Sequence, residues 1–292
     1  MAAYYRQTLS SQPELRLDAP FVSAQSVINE LLAAKRAANC RERYVKSLHF
    51  YLRQFFRGRE NQPLAEFASA EVEAWMNKYP SPWTRRSWLS RLSALFSFAA
   101  RRGHIAENPC KRIEGVRVDI QPPKILTPAQ ADLLLNVCPT LCRPYLILGL
   151  FAGIRPEEIM RLDWSAIDLH TATARVDGKT RRRRIVNLEP RAAALLAGCP
   201  LRSGPVSPSL STLRRFKRRA CAALGLSRWP QDLLRHTAAS YLLALHGDAG
   251  KVATMLGNSS SVLLTHYHEP VMPGDCQIFW TSPTPNPAPV AP

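Results

Sequence analysis

Two segments in the second half of the chain place cationic side chains where an anion could bind. Arg155 comes just after Gly153 and is followed by Pro-Glu-Glu, a pattern typical of the first turn of a helix. A helix start offers unpaired backbone N–H groups and the positive end of the helix dipole, so an arginine there suits an anionic group. Taken alone, Arg155 fits an ordinary solvated surface equally well. Lys179 follows the hairpin signal Asp177-Gly178, so we expect it at a hairpin tip, from which its side chain can reach into a groove.

The return strand of this hairpin carries four consecutive arginines, from Arg181 to Arg184. Side chains alternate between the two faces of a strand, so two of the four must face inward or lie along a partner. The run therefore favours contact with phosphate groups over a surface that is merely soluble.

Two further segments carry groups that can bind phosphate or exchange protons. One holds Asp232, Arg235 and His236 within five residues. In the other, Tyr267 follows a short predicted helix and is flanked by two histidines. For the histidines, ordinary polar packing is the competing explanation.

The elements that must position these residues are mostly helices. Apolar residues at helical spacing predict four helices before Gly103, with Ser69 as the N-cap of the third. Residues 104–124 contain two proline breaks and four cations, which indicates a basic, extended linker. Beyond it we predict helices, a small antiparallel hairpin sheet with strands near 167–169, 173–176 and 185–188, and further helices near 190–197, 210–224, 233–245, 249–256 and 259–266.

The charge of the chain indicates a polyanionic partner. The 292 residues contain 39 Lys plus Arg against 22 Asp plus Glu, a net charge of +17, and both halves are basic. Nucleic acid is the simplest such partner. An arginine-rich compositional bias is the alternative, because most of the cations are arginine.

Several classes of protein are disfavoured by the sequence. It has no apolar run long enough to span a membrane and no apolar segment of a secretory signal. Its seven cysteines are scattered without a Cys-x-x-Cys pair, so we expect buried free thiols and no zinc site. These features predict a cytoplasmic protein without a metal, a small-molecule cofactor or a membrane partner.

The four segments together resemble the tyrosine recombinase, or phage integrase, family. The family pattern is Arg, Lys, His-x-x-Arg, His or Trp, and Tyr. Gly153-Ile-Arg155-Pro-Glu-Glu158 matches its first segment, and Leu234-Arg235-His236-Thr237 matches its third. Lys179 matches the hairpin lysine, and Tyr267 lies nine residues after Asn258, as the family spacing requires. The match is detailed over about 125–270.

The resemblance implies a fold and a set of domain limits. The fold is mainly α with a small antiparallel β-sheet: a four-helix, SAM-like core-binding domain followed by an α+β catalytic domain. The implied limits are 1–103 for the first domain, 104–124 for the linker, 125–280 for the catalytic domain and 281–292 for a proline-rich disordered tail.

The resemblance also implies a reaction. Arg155 and Arg235 would clamp the nonbridging oxygens of a DNA phosphate, and Tyr267 would attack the phosphorus to give a 3′-phosphotyrosine. Lys179 would protonate the leaving 5′ oxygen. The cations supply the positive charge, so neither a metal nor ATP is required. The implied partners are double-stranded DNA and further copies of the chain, as a tetramer on DNA and a monomer off it.

Two positions depart from the family pattern: Asp232 and Asn258 stand where it has His and His or Trp. Asp232 could act as a base or pair with a nearby cation, whereas Asn258 could donate a hydrogen bond but cannot trade protons. A divergent but functional enzyme is the preferred interpretation. The alternatives are a catalytically weakened or inactive DNA-binding protein on the same fold and a type IB topoisomerase.

Other cations are expected to contact the DNA backbone. The predicted helix over 211–224 is strongly basic, with Arg215 and Arg219 on one face. The candidate DNA contacts are Arg85, Arg86, Arg91, Arg181, Arg183, Arg215, Arg219 and His236. The apolar segment Asp275 to Trp280 could dock on another protomer or pack on its own domain.

Overall fold

The chain forms two compact units, and contacts within the chain divide between Asp119 and Ile120. The structure is a computed structural model that describes residues 22–119, 121–178, 183–200, 202–266 and 269–283. Each unit buries its own apolar core. The predicted fold class, mainly helical with one small antiparallel sheet, is confirmed.

The described part of the first unit contains four α-helices, each of which buries an apolar stripe. Val27, Ile28 and Leu31 repeat at helical spacing and are buried in the first helix. A serine hydroxyl accepts from the backbone at the start of the first and fourth helices. The helices are α1 (Ala24–Ala37), α2 (Glu42–Phe55), α3 (Ser69–Asn77) and α4 (Pro82–Arg101).

The cap of α3 differs from the sequence prediction. Ser69 is the first helical residue, and Ala68 stands at the cap position. The Glu71 carboxylate accepts from the Ala68 N–H at 3.0 Å, so a serine side chain is not needed there. The Ser69 hydroxyl instead donates to the Pro109 carbonyl at 2.7 Å.

That contact belongs to a segment that the sequence assigned to a linker. Ile105 and Cys110 are buried in the first core, and Ile113 and Val116 pack against it. The buried Asn108 amide donates to two serine hydroxyls of α4, at 2.8 and 3.0 Å. The first part of 104–124 therefore packs onto the first unit, while the predicted domain limits themselves stay a prediction.

The second unit surrounds the apolar helix α6 with helices and a three-stranded antiparallel sheet. Every described residue of α6 after Arg143 is buried, which its uninterrupted apolar sequence explains. The helices are α5 (Pro128–Val137), α6 (Arg143–Phe151), α7 (Pro156–Ile159), α8 (Pro190–Ala197), α9 (Leu210–Ala223), α10 (Leu233–His246), α11 (Ala249–Leu256), α12 (Ser260–His266) and α13 (Pro273–Thr281).

The sheet has the strand order β1 (Ile167–Asp168), β2 (Thr173–Asp177) and β3 (Arg183–Asn187). Ala174 and Val176 of β2 and Val186 of β3 are buried, so one face of the sheet packs on the core. Register pairs Val176 with Arg184 and Asp177 with Arg183. Arg184 thereby joins the inner face and Arg183 the outer one.

The segment from Asp275 to Trp280 packs on its own unit. It forms most of α13, and the Phe279 ring is fully buried and stacks on Tyr241 with 3.9 Å between ring centroids. The Trp280 indole N–H donates to the Tyr241 carbonyl at 3.3 Å. Of the two interpretations left open by the sequence, the structure supports packing in the same chain.

Three expectations, on membrane spans, metal sites and cysteines, can be compared with the described residues. Within them, no helix is both long and apolar enough to cross a membrane. The described histidines, cysteines and acidic residues form no group of three or more suited to a metal ion. Six of the seven cysteines are buried free thiols, and Cys40 is half-buried.

Candidate active site

Arg155 is positioned by a tight crossing between the end of α6 and α11. Gly153 has a φ of +60°, and a Cβ on it would lie 2.3 Å from the Leu256 Cδ2 atom, so only glycine fits there. The chain then turns, and Arg155 occupies the position just before α7. The backbone break that the sequence indicated is thus a close-packing point.

The Arg155 guanidinium lies against the turn that follows α11. Its Nη2 donates to the Gly257 carbonyl at 2.9 Å and to the Asn258 Oδ1 atom, and its Nη1 donates to Glu158 at 3.2 Å. The side chain remains 27% exposed, so this guanidinium reaches the surface.

Arg235 approaches the same turn from the first turn of α10. Its two terminal nitrogens donate to the Gly153 and Leu256 carbonyls, the second at 2.7 Å. The side chain is only 1% exposed. A buried guanidinium is costly unless its N–H groups find acceptors, and these carbonyls provide them.

The two arginines therefore converge on consecutive carbonyls, those of Leu256 and Gly257. Gly257 ends α11 with a φ of +66°, a left-handed conformation that reverses the chain and turns both carbonyls toward the arginines. The two arginines to which the resemblance assigns a phosphate clamp are thus brought together by α7, α10 and the end of α11.

A buried ion pair lies behind Arg155. The Glu158 carboxylate, 1% exposed, accepts two hydrogen bonds from Arg184 of β3, at 3.1 and 2.7 Å. Arg184 also donates to the Met255 carbonyl at 3.1 Å. Burial acts to raise the pKa of Glu158, but the hydrogen bonds and charges of Arg184 and Arg155 outweigh it and hold that pKa below its ordinary value.

Comparison with known proteins gives relatives in sequence and in fold. No family model matches the chain. Tyrosine recombinase XerC of Roseiflexus sp. (strain RS-1) is 28% identical over 198 residues, covering 59% of this chain and 63% of the relative. Tyrosine recombinase XerC of Xanthomonas campestris pv. campestris (strain B100) is 25% identical over 218 residues, covering 68% and 66%. The match thus spans less than two thirds of the length of either relative.

Solved structures share the fold. Lambda integrase residues 75–356, solved as a dimer bound to a COC′ core site, superposes with a TM-score of 0.69 at 19% identity, over 82% of this chain and 97% of the integrase. The Tn1549 transposon integrase with a circular intermediate DNA gives a TM-score of 0.65 at 15% identity, over 86% and 97%. The chain is thus similar in sequence to tyrosine recombinases and shares the fold of these integrases.

Of the two departures from the family pattern, Asn258 joins the Arg155 cluster. Its Oδ1 atom accepts from Arg155, as given above. Its Nδ2 atom is buried and has no hydrogen-bond partner among the residues that the structure describes. An unsatisfied buried donor costs free energy, and it can bind an acceptor oxygen that enters the site.

The second departure, Asp232, lies three residues before Arg235 and is not among the contacts of the Arg155 cluster given above. It stands at the start of α10 with a φ of +52°, a left-handed conformation, and its side chain does not cap the helix. Its backbone carbonyl accepts from the half-buried His236 at 2.8 Å. Asp232 lines a cavity of about 240 Å³ together with Arg235 and Lys217.

Two residues of this site were not predicted from the sequence, Glu158 as a buried partner and Arg184 as the arginine that pairs with it. The capping-box spacing from Arg155 to Glu158 was the available signal for the first. The inward side of the arginine run was the signal for the second. The inward Arg184 is engaged by a carboxylate, which corrects the expectation that this arginine would face phosphate.

The predicted DNA contacts on the second unit differ in their surroundings. Arg215 and Arg219 are exposed on α9, opposite its buried side. Arg183 is 78% exposed and pairs with Asp177 at 3.2 Å. Lys179, Arg181 and Tyr267 lie outside the described residues.

Those on the first unit all lie on α4. Arg86 is exposed, whereas Arg85 and Arg91 are half-buried. The Arg91 guanidinium lies 5.5 Å from the Tyr44 ring centroid and 5.9 Å from that of Tyr51. Arg91 is thus held partly by cation–π contacts within its own unit.

Proposed function

We propose that this protein is a site-specific DNA recombinase that cleaves and rejoins strands through a 3′-phosphotyrosine on Tyr267. The observation that carries the proposal is the convergence of Arg155 and Arg235 on the carbonyls of Leu256 and Gly257. The same turn leads into α12, whose last residue directly precedes Tyr267 in the sequence. Two fixed cations and the nucleophile are therefore tied to one short segment.

Each step of the reaction forms one bond to phosphorus and breaks another. The Tyr267 hydroxyl gives its proton to water and its oxygen bonds to phosphorus, while the bond from phosphorus to the 5′ oxygen breaks. Lys179 gives a proton to that leaving oxygen. Arg155 and Arg235 stabilise the charge that accumulates on the nonbridging oxygens in the transition state. The reverse attack by a 5′ hydroxyl rejoins a strand without ATP, because the phosphotyrosine retains the bond.

Asn258 supplies a further donor to this phosphate. Its buried Nδ2 atom has no partner among the described residues and belongs to the side chain that contacts Arg155. An amide donor can bind a nonbridging oxygen, as the imidazole or indole of the family pattern would, although it cannot carry a proton. This supports retained catalysis in spite of the departure at position 258.

The partners that we propose are duplex DNA and further copies of the chain. Exposed Arg215 and Arg219 on α9 offer a sequence-independent contact to phosphates. Lambda integrase has been solved as a tetramer bound to a Holliday junction. We extend that assembly, four protomers on two DNA sites, to this protein.

Covalent capture on nicked DNA tests the proposal. The probe is a library of nicked duplexes with a randomised central sequence, incubated with the full chain without metal or ATP. After cleavage next to the nick, the short 5′ fragment diffuses away and the phosphotyrosine persists. We expect an adduct that survives denaturation, whose enriched sequences converge on one site and whose DNA-bearing peptide contains Tyr267.

Two variants make the result specific. Tyr267→Phe removes the nucleophilic oxygen and should abolish the adduct. Tyr79→Phe of the first unit keeps its ring contacts with Trp75 and Trp88 and should leave the adduct in place. An adduct that persists in Tyr267→Phe, or duplex binding without any adduct after enrichment, would overturn the proposal. Relaxation of plasmid at no preferred sequence would instead indicate a topoisomerase.

A further inference from the structure

Lys217 stands apart from the other cations of α9. Its arginines at 214, 215, 218 and 219 are exposed, whereas Lys217 is half-buried. Its ammonium lies 5.7 Å from the Tyr145 ring centroid and 5.8 Å from that of Trp229. Two aromatic faces thus hold this cation inside the unit.

The cavity beside Lys217 reaches the proposed catalytic residues. Its lining includes both aromatic rings, Lys217, Asp232 and Arg235. Asp232 is the residue that stands where the family pattern has histidine. The lysine and the acid therefore share one small space behind the buried arginine.

The electrostatics of this cavity are consistent with a coupled pair. Burial lowers the pKa of Lys217, and the charge of Asp232 acts in the opposite direction. Burial, followed by the charge of Asp232, raises the pKa of Tyr145 to about 12. Asp232 and the two groups on which its charge acts therefore line the same cavity, and no ion pair within 4.0 Å joins Asp232 to Lys217 among the described residues.

The backbone of Asp232 adds a second observation. A left-handed conformation in a residue other than glycine costs free energy and persists only where the surroundings hold it. The Asp232 side chain makes no capping bond that would repay this cost. Asp232 instead lines the cavity together with Lys217.

We propose that Lys217 is a positioning residue, which neutralises Asp232 across the cavity and lets an acid occupy the histidine position beside Arg235. The inference rests on the proposed function. A lone carboxylate near the scissile phosphate would repel it and would compete for the arginine clamp. The aromatic-held ammonium offsets that charge without entering the phosphate site.

A double-mutant cycle in the capture assay tests the coupling. Lys217→Met should slow adduct formation on the order of 10-fold, within the range of coupling between neighbouring charged groups. Lys217→Arg keeps the charge and should recover most of that loss. Asp232→Asn removes the acid, and asparagine tolerates the left-handed backbone. In the Asp232→Asn background, Lys217→Met should change the rate by less than about 2-fold.

The control variant is Lys251→Met, an exposed lysine of the same unit, which should match the unmodified protein. A purely structural role for the Lys217 stem predicts the same loss in both backgrounds. That result would overturn the proposal.

A titration decides the pairing even if no adduct forms. The eight lysines of the chain can be labelled by reductive ¹³C-methylation and followed by NMR. Asp232→Asn should lower the pKa of Lys217 and leave that of Lys251 unchanged. An unchanged Lys217 titration would refute the pairing itself, whereas a shifted titration without any adduct would count against the recombinase function alone.

Discussion

Removal of Arg184 should destabilise the second unit far more than removal of its neighbour in the same strand. Arg184→Met removes both hydrogen bonds that Arg184 donates to the Glu158 carboxylate, which is only 1% exposed. It also removes the donor to the Met255 carbonyl. Loss of one partner of a buried ion pair costs about 3–5 kcal/mol. Glu158 keeps the Arg155 backbone N–H and Nη1, each at 3.2 Å, so we expect about 3 kcal/mol.

Arg183→Met is the matched control. Arg183 is adjacent in β3, but its pair with Asp177 is exposed on both sides, at 78% and 73%. Exposed pairs contribute little, so its loss should change the free energy of unfolding by less than about 0.5 kcal/mol. Urea unfolding of the full chain, read by pulsed hydrogen exchange with mass spectrometry, reports the two units separately.

The pH dependence has a defined sign. The pKa of Glu158 is lowered in the folded protein, so its contribution is present above the unfolded value and is lost as the pH falls through the folded pKa. In Arg184→Met, burial raises that pKa instead, so protonation relieves the buried charge. The difference in free energy of unfolding between Arg184→Met and the unmodified protein should therefore become smaller as the pH falls from about 7 to about 5. Equal stability of the two variants at pH 7, within about 0.5 kcal/mol, would refute this account.

Two further predictions concern packing and DNA binding. Gly153→Ala should destabilise the second unit by about 2 kcal/mol more than Gly204→Ala. Both glycines have positive φ, but only a Cβ on Gly153 would meet a neighbour, the Leu256 side chain at 2.3 Å. Thermal unfolding of both variants checks this, and equal losses of stability would contradict it. The double substitution Arg215→Gln and Arg219→Gln should reduce the magnitude of the slope of log binding constant against log salt concentration by about 1.8, if each arginine contacts one phosphate. Fluorescence anisotropy on duplex DNA measures this slope. An unchanged slope would exclude α9 from the DNA interface.

Much of the fold follows from local sequence. Apolar residues such as Val27, Ile28 and Leu31 recur at helical spacing, and two strand-forming runs flank a turn signal, so helices and hairpin were predictable without tertiary information. The turn itself lies further along the chain than predicted, because Asp177 is the last residue of β2 and pairs with Arg183. The cap of α3 was misplaced by one residue, because the Ser69 hydroxyl is engaged by Pro109, 40 residues away. A contact at that distance leaves no signal in a local pattern.

The sequence by itself determined which residue types could perform phosphoryl transfer, because the order and spacing of Arg155, Arg235 and Tyr267 are properties of the chain. Only the tertiary structure decided which cations are available for it. The fold brings Arg184 of β3 to the buried Glu158 carboxylate of α7, and it places Lys217 and Asp232 in one cavity while the arginines of α9 face solvent. The partner that lies beside a charged side chain in the folded protein decides whether that side chain can contact DNA. Because this partner comes from a distant segment of the chain, a local sequence pattern does not reveal it.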